Sequence, residues 1–222
     1  MANKWIRRKR NSMGYGVQSP SDFHFVQHVL REKSPYYAYT LLDEIADKCG
    51  SQSPCYPIAV YRLLFRLANH IHPGTIIEVG GGLSIFAMGM ACPSAKCTAI
   101  TSAETHVDII YPLQSARPGV EIKSGDEIAI FSQSLCEQQG IGILHIAHTP
   151  HYREIVEAAL PYVNDRSLFI IEGIYDNKEK RKWWKSLQES TSTGISYDLK
   201  SIGLLFFDKS RHKNSYWINL RS

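Results

Sequence analysis

The fold of this chain is indicated most clearly by the stretch Thr75–Ala91, TIIEVGGGLSIFAMGMA. This stretch places three consecutive glycines, Gly80, Gly81 and Gly82, between an apolar strand-like run and an apolar helix-like run. Glycine permits a positive φ and lets a ligand approach the backbone, and the N-terminus of the following helix offers unpaired N–H groups. In an open α/β sheet, the turn after the first strand is where a nucleoside ligand binds. A tight turn made for purely structural reasons is the alternative, and the sequence leaves it open.

Strand-like runs alternate with helix-like runs from Thr75 onward. The strand candidates are 75–80, 96–101, 120–124, 141–147, 167–172, 195–200 and 203–208. The first five are continuously apolar and are separated by segments long enough for crossover helices, which is typical of a parallel sheet covered on both faces. The last two are separated by a couple of residues, so they predict an antiparallel hairpin. The sequence therefore predicts an α/β fold with a doubly wound, seven-stranded, mostly parallel sheet that ends in this hairpin.

The part of the chain before this sheet has a helical pattern. Apolar residues recur at helical spacing in SPSDFHFVQHVLREK, YYAYTLLDEIADKC and PIAVYRLLFRLANHI. We therefore divide the chain into a basic tail and helical cap at 1–72 and an α/β domain at 73–222.

Composition and charge exclude several classes of protein. The 222 residues are 44% hydrophobic and 21% charged, which fits a globular protein with a well-developed core. The net charge is only +4, and much of the excess lies in KWIRRKR, so we expect no nucleic-acid surface. No apolar run approaches the ~20 residues of a membrane span, and the polar NSMGYGVQSPSD stands where a signal peptide would be apolar. Five cysteines without CxxC spacing indicate reduced thiols. We expect a cytoplasmic protein that binds neither nucleic acid nor membrane.

The residues around the glycine turn carry a family resemblance. IIEVGGGLS resembles motif I of the class I S-adenosylmethionine-dependent methyltransferases, and the predicted sheet matches their Rossmann-like fold. GYGVQSP, PYYAY and YRLLFRLANHIHPGTIIEVGGG together resemble a group of small bacterial O-methyltransferase-like proteins with a helical N-terminal segment. The resemblance covers about Gly14 to Leu220. It implies S-adenosylmethionine as the cofactor and methyl transfer to an oxygen or nitrogen of a small-molecule substrate.

The resemblance assigns the methionine side of the cofactor site to the glycine turn. Gly80 and Gly82, with Gly81 between them, would face the methionine part of S-adenosylmethionine. Glu78 would help to order this loop and would balance the sulfonium charge.

The resemblance also locates the ribose and adenine sides. Asp126, in SGDE after the third strand, stands where the family commonly reaches the adenine amino group. After the second strand, Thr101 or Ser102 stands where a ribose-binding acid is expected, and Glu104 follows a little beyond. The chain therefore departs from the family pattern at the ribose-binding position.

Metal ligands of the family are mostly replaced. Metal-dependent members place an Asp after the fourth strand and an acidic pair at the end of the fifth. Here Ala147 replaces the first, and Glu172 with Gly173 replaces the pair. One acidic ligand remains, so the resemblance implies a metal-independent enzyme.

Three histidines, His145, His148 and His151, lie within and after the fourth strand. An imidazole with a pKa near neutrality can take a proton from a hydroxyl nucleophile, so His148 and His151 are the candidate catalytic residues. The alternative is that His145 points into a helix-covered face while the other two cap the next helix or meet solvent. Zinc binding by the three is disfavoured, because strand and loop spacing would scatter their ring directions.

Two other functions remain as alternatives. A degenerate, non-catalytic relative, kept as a ligand-binding or interaction module, is favoured by Ala147, Gly173 and the missing ribose acid. A nicotinamide-dependent oxidoreductase would need a glycine at the position of Ile85 to complete the GxGxxG fingerprint. The sequence leaves the acceptor open, and it also leaves open whether the chain forms a homodimer.

Overall fold

The structure is a computed structural model that describes residues 2–49, 57–81, 84–102, 119–138 and 140–220. The strands are β1 (Thr75–Val79), β2 (Lys96–Thr101), β3 (Val120–Ser124), β4 (Ile143–Ile146), β5 (Leu168–Glu172), β6 (Ser196–Asp198), β7 (Ile202–Phe206) and β8 (Ser215–Trp217). The α-helices are α1 (Ala2–Ser12), α2 (Pro20–Phe25), α3 (Tyr39–Cys49), α4 (Ile58–Ile71), α5 (Ser84–Ala91), α6 (Glu127–Cys136), α7 (Tyr152–Ala159) and α8 (Lys178–Glu189). A π-helical turn, Val26–Leu30, continues α2, and a 3₁₀ turn, Leu160–Tyr162, continues α7.

The strands form one sheet in the order β3-β2-β1-β4-β5-β7-β6-β8. Strands β1 to β5 are parallel, and β7 runs antiparallel to both β5 and β6. The chain moves outward from β1 to β2 and β3, and then returns to the other side of β1 for β4 and β5. The strand order therefore reverses between β1 and β4. A ligand is expected to bind beyond the carboxyl ends of these two strands, and we call this region the crevice.

Helices cover both faces of the sheet. Because successive side chains of a strand point to opposite faces, Ile76 and Ile77 belong to two different cores. The first core joins Ile76 to the helices α4 and α5, for example through Leu64 and Phe86, and to the N-terminal segment through Phe25. The second core contains residues from α6, α7 and α8: Phe131, Leu135, Ile155, Val156 and Trp184. The predicted doubly wound fold is confirmed, whereas the division of the chain at residues 72 and 73 stays a prediction.

The predicted hairpin is β6 and β7, and the structure adds β8 beyond it. Strand β8 pairs in parallel with β6, and backbone bonds extend the pairing at both ends, from Ser196 N to Asn214 O and from Ile218 N to Asp198 O, each 2.9 Å long. Three residues are too few to show an alternating pattern, so this strand is not predicted from the sequence.

No helix within the described ranges combines the length and the apolar character that are needed to cross a membrane.

We predict that Gly203→Ala destabilises the protein by about 1–3 kcal/mol, because it overpacks a rigid contact between sheet and helix. A Cβ atom at Gly203 would lie 2.5–2.8 Å from three ring atoms of Trp184, which is buried on α8. Gly74→Ala is the matched control, since a Cβ there meets nothing within 4 Å. Urea unfolding of both variants measures the difference. Equal stabilities would contradict this account of the packing.

Candidate functional site

The glycine turn lies at the carboxyl end of β1, beside the loop that follows β4. Gly80 has a φ of +74°, and a Cβ atom there would lie 2.7 Å from the carbonyl carbon and oxygen of His148. A Cβ at Gly81 would lie 2.6 Å from Oε1 of Glu78. Contacts within the protein therefore require glycine at both positions, which supports the structural reason for the turn. A ligand-facing role for Gly80 and Gly81 stays a prediction, and Gly82 lies outside the described residues.

Directly beneath this turn, one imidazole joins two carboxylates. Nδ1 of His145 lies 2.7 Å from Oε2 of Glu78, and Nε2 lies 2.8 Å from Oε1 of Glu172. All three side chains are buried. The hydroxyl of Ser84, the first residue of α5, also donates to Oε2 of Glu78. We call Glu78, His145 and Glu172 the buried triad.

The register of the sheet assembles the buried triad. Glu78 on β1 is paired with His145 on β4, so their side chains share one face. His145 is paired with Ile170 on β5, and Glu172, two residues further on, lies on the same face as Ile170 because side chains alternate with a period of two. Three adjacent strands therefore deliver one residue each.

The buried triad fixes the charge of His145. Burial of the ring is the largest single influence and opposes protonation, but the hydrogen bonds and charges of Glu172 and Glu78 together outweigh it and raise the pKa of His145 to about 10. The ring is therefore an imidazolium at neutral pH, and both of its nitrogens donate to carboxylates. Two carboxylates against one imidazolium leave a net negative charge under the crevice.

Each member of the buried triad stands out in the sequence, but no sequence pattern brings the three together. From the sequence, Glu78 is expected to order the loop, and Glu172 is the remnant of a metal-binding pair. A His145 side chain directed into a helix-covered face is one of the alternatives that the sequence leaves open, but its two carboxylate partners are not predicted. A usable signal exists in the sequence, since each of the three is an ionisable residue within an otherwise apolar central strand, where burial without a partner is costly.

The two candidate catalytic histidines differ in their surroundings. The side chain of His148 is 57% exposed at the crevice, and its Nε2 lies 4.0 Å from Oε2 of Glu172. His151 occupies the N-cap position of α7 but makes no side-chain capping bond, and its backbone N–H donates to Oγ1 of Thr149. His148 is thus the histidine that connects the crevice to the buried triad.

A second buried contact holds the loop after β4. Oγ1 of Thr149 donates to Oε2 of Glu127 at 2.5 Å, and both residues are buried. Glu127 is the first residue of α6, so this bond joins the loop of His148 to the start of that helix. No pattern in the sequence predicts this contact.

The candidate residues for the adenine and ribose sides of the cofactor lie at the carboxyl edge of the sheet, which is also the edge of the glycine turn. Asp126 is exposed and caps α6: its Oδ1 accepts from the N–H groups of Ile128 and Ala129, at 3.0 and 3.1 Å. Among the described residues, Oδ2 of Asp126 has no hydrogen-bond partner. Ser102 is exposed at the end of β2, while Thr101 is buried. Glu104 lies outside the described residues.

Position 173 disfavours any side chain other than that of glycine, because its backbone φ is positive. Gly173 has a φ of +63°, and a Cβ atom there would lie 2.0 Å from Oδ2 of Asp176. Over the residues that the structure covers, no group of three or more His, Cys, Asp and Glu side chains could hold a metal ion. In the buried triad, the imidazole of His145 itself separates the two carboxylates.

Known proteins resemble this chain in structure but not in sequence. No family model and no curated protein matches this chain. Solved structures do match. It is similar to an O-methyltransferase from Bacillus cereus in complex with S-adenosylhomocysteine, with a TM-score of 0.59 and 13% identity over 91% of this chain and 99% of that one.

Two further solved structures are similar to this chain. The O-methyltransferase TomG from Streptomyces achromogenes, involved in tomaymycin synthesis and in complex with S-adenosylmethionine, has a TM-score of 0.59 and 14% identity over 93% of this chain and 99% of that one. A methyltransferase from Geobacter sulfurreducens has a TM-score of 0.59 and 17% identity over 79% of this chain and 92% of that one. At these identities the likeness shows the fold alone, which is the Rossmann-like fold of the class I methyltransferases.

We predict that the free energy of unfolding falls as the pH rises from about 6.5 toward 10, and that His145→Gln removes part of this fall. The pKa of His145 is raised from 6.5 to about 10 on folding, so its contribution is complete below the lower value and is lost as the pH passes through the higher one. Urea unfolding between about pH 6.5 and 9 stays below the range in which tyrosines ionise.

The control for this prediction is His212→Gln, which changes an exposed histidine and should keep the pH dependence of the unmodified protein. A His145→Gln variant with the same slope as the unmodified protein would show that the buried triad does not hold the imidazolium.

Proposed function

We propose that this chain is a metal-independent, S-adenosylmethionine-dependent methyltransferase that acts on an oxygen or nitrogen of a small molecule. One observation carries the proposal: a negatively charged buried triad lies under the glycine turn at the point where the strand order reverses. The fold is shared with solved O-methyltransferases that hold S-adenosylmethionine or S-adenosylhomocysteine. When bound, the cofactor supplies an electrophilic methyl group on a positively charged sulfur.

The residues present fit this cofactor on its methionine side. A sulfonium is attracted by the net negative charge of Glu78, His145 and Glu172, and this attraction is stronger in a buried environment than in water. Gly80 and Gly81 would contact the methionine part. The hydrogen bond from Ser84 to Glu78 links the carboxylate to the start of α5.

On the nucleoside side the fit is partial. Oδ2 of Asp126 would accept from the adenine amino group while Oδ1 continues to cap α6. The hydroxyl of Ser102 would contact the ribose, but with one oxygen where a carboxylate would offer two. We therefore infer weaker ribose binding than in a site with an acid at this position.

The chain's own residues would act mainly by positioning. Holding donor and acceptor at near-attack distance supplies much of the rate of a displacement reaction. His148 would take the proton of an acceptor hydroxyl or amine as that atom is methylated. Glu172, 4.0 Å from the ring of His148, would orient it and stabilise the imidazolium that forms. His145 holds Glu172 in turn.

A second candidate function, a non-catalytic ligand-binding or interaction module, is favoured by specific observations. Asp126 already has a structural role as a helix cap, so its presence does not require a cofactor. The positive φ of Gly173 disfavours an acidic side chain there, and Ala147 is buried directly after β4. Cofactor binding without turnover would support this function.

We predict that S-adenosylmethionine and S-adenosylhomocysteine bind the folded protein, and that Glu78→Gln weakens the binding of S-adenosylmethionine at least about tenfold. The substitution keeps the shape of the side chain but removes its charge. Calorimetric titration measures both affinities, and circular dichroism checks the fold. No heat at millimolar ligand with folded protein would contradict the proposed function.

Asp126→Ser separates capping from cofactor binding, since serine also caps helices. We expect it to weaken cofactor binding about tenfold through the lost contact to adenine. The matched control is Asn177→Ser, which changes the side chain that caps α8 by accepting from Lys180 N at 2.7 Å. If both cap variants bind the cofactor equally, Asp126 does not contact the adenine.

We predict that His148→Ala leaves cofactor affinity within about twofold and lowers turnover about 10²-fold or more, as expected on loss of a general base. Turnover is measured as S-adenosylhomocysteine formed with an acceptor found by screening phenols and amines. His151→Ala tests the other candidate in the same assay, and His212→Ala is the control. Unchanged turnover in His148→Ala would exclude it as the base.

A further inference from the structure

A cavity of about 530 Å³ lies between α8 and β8, on the face of the sheet that α8 covers. Its volume falls within the range of small-molecule sites. Trp184, whose ring contacts Gly203 on β7, forms part of the wall, and Ser215 and Trp217 of β8 line the opposite side. The cavity therefore lies beside α8, next to the outermost strands.

The helix lines this cavity with positive charge. Four basic residues at helical spacing line it: Lys178, Arg181, Lys182 and Lys185. Among the described residues of the lining, Glu189 is the one with a carboxylate. In the described part of the chain, neither Lys178 nor Lys182 has a carboxylate within 4.0 Å. Lys185 and Glu189 pair at 3.5 Å, but both are exposed, so the pair stabilises little and leaves the excess of positive charge in place.

Aromatic rings line the same cavity. The ring of Tyr175 lies under the guanidinium of Arg181, 5.0 Å from its centroid to Cζ. The hydroxyl of Tyr175 donates to the buried Asp198, which fixes the position of the ring. Trp217 is half-buried at the end of β8. An aromatic ring can stack on a planar group of a ligand. The neighbouring lysine and arginine side chains can form charge-assisted hydrogen bonds to phosphate oxygens.

We propose that this cavity binds a small phosphorylated molecule with a planar ring system, such as a nucleotide. The concave shape and the aromatic walls favour a small molecule over an acidic peptide or an anionic membrane surface. The cations would hold the phosphate oxygens, and an aromatic ring such as that of Trp217 would stack on the planar group.

The cavity is separate from the crevice at β1 and β4. Strands β5, β7 and β6 lie between β4 and β8, and neighbouring strands are about 4.8 Å apart, so the two sites are roughly 20 Å apart. Ligand binding in this cavity is therefore independent of the proposed methyl transfer.

The test is calorimetric titration of the full chain with ATP, inorganic tripolyphosphate and adenosine, with and without excess S-adenosylhomocysteine. We expect ATP to bind more tightly than tripolyphosphate, adenosine to bind weakly, added salt to weaken ATP binding, and S-adenosylhomocysteine not to displace ATP. The double variant Lys178→Ala/Lys182→Ala should bind ATP at least about tenfold more weakly. The control Lys96→Ala/Lys209→Ala removes two exposed lysines outside the cavity and should bind ATP unchanged.

Three results would overturn this inference: no binding of ATP at millimolar concentration, equal weakening in the two double variants, or displacement of ATP by S-adenosylhomocysteine. Tighter binding of a glutamate-rich peptide or of phosphatidylserine vesicles than of ATP would also overturn it, because the cavity would then take a different class of partner. Failure of S-adenosylmethionine to bind contradicts only the proposed function.

Discussion

Two carboxylates within the sheet are both held by one imidazole, and the arrangement of the crevice depends on this contact. An unpaired carboxylate in such a position would cost several kcal/mol (order of magnitude), and breaking a buried pair is destabilising by about as much. Glu78 and Glu172 avoid that cost because His145 donates to each of them. The same contact crosses three adjacent strands, β1, β4 and β5, at the edge where a ligand would bind.

This constraint connects stability with function. The imidazolium of His145 requires both carboxylates, and the net negative charge that results lies under the glycine turn, where the proposed sulfonium would bind. The other oxygen of Glu172 faces His148 at the crevice. A substitution in the buried triad is therefore expected to affect the fold, the affinity for a cation and the orientation of His148 together.

Much of the fold follows from local patterns, and the exceptions have identifiable reasons. The continuously apolar strands and the glycine turn at Gly80 predict a doubly wound sheet, and the sheet has that form. Strand β8 is missed because its pairing with β6 depends on backbone partners rather than on a pattern of side chains. Asp126 lies after β3 as the sequence indicates, and its predicted contact with adenine stays a prediction; its role as the cap of α6 depends on backbone N–H groups, which no side-chain pattern marks.

The sequence alone shows which polar residues and glycines lie near the carboxyl ends of the strands: Glu78 on β1 and the glycines after it, Asp126 after β3, His148 after β4 and Glu172 on β5. Which of these residues contact one another depends on the tertiary structure. His145 is 67 residues from Glu78 and 27 from Glu172 along the chain, and their contact depends on strand order and register. These are properties of the whole sheet, because each strand finds its neighbours through backbone pairing and the burial of both faces, and no local stretch of sequence encodes that outcome.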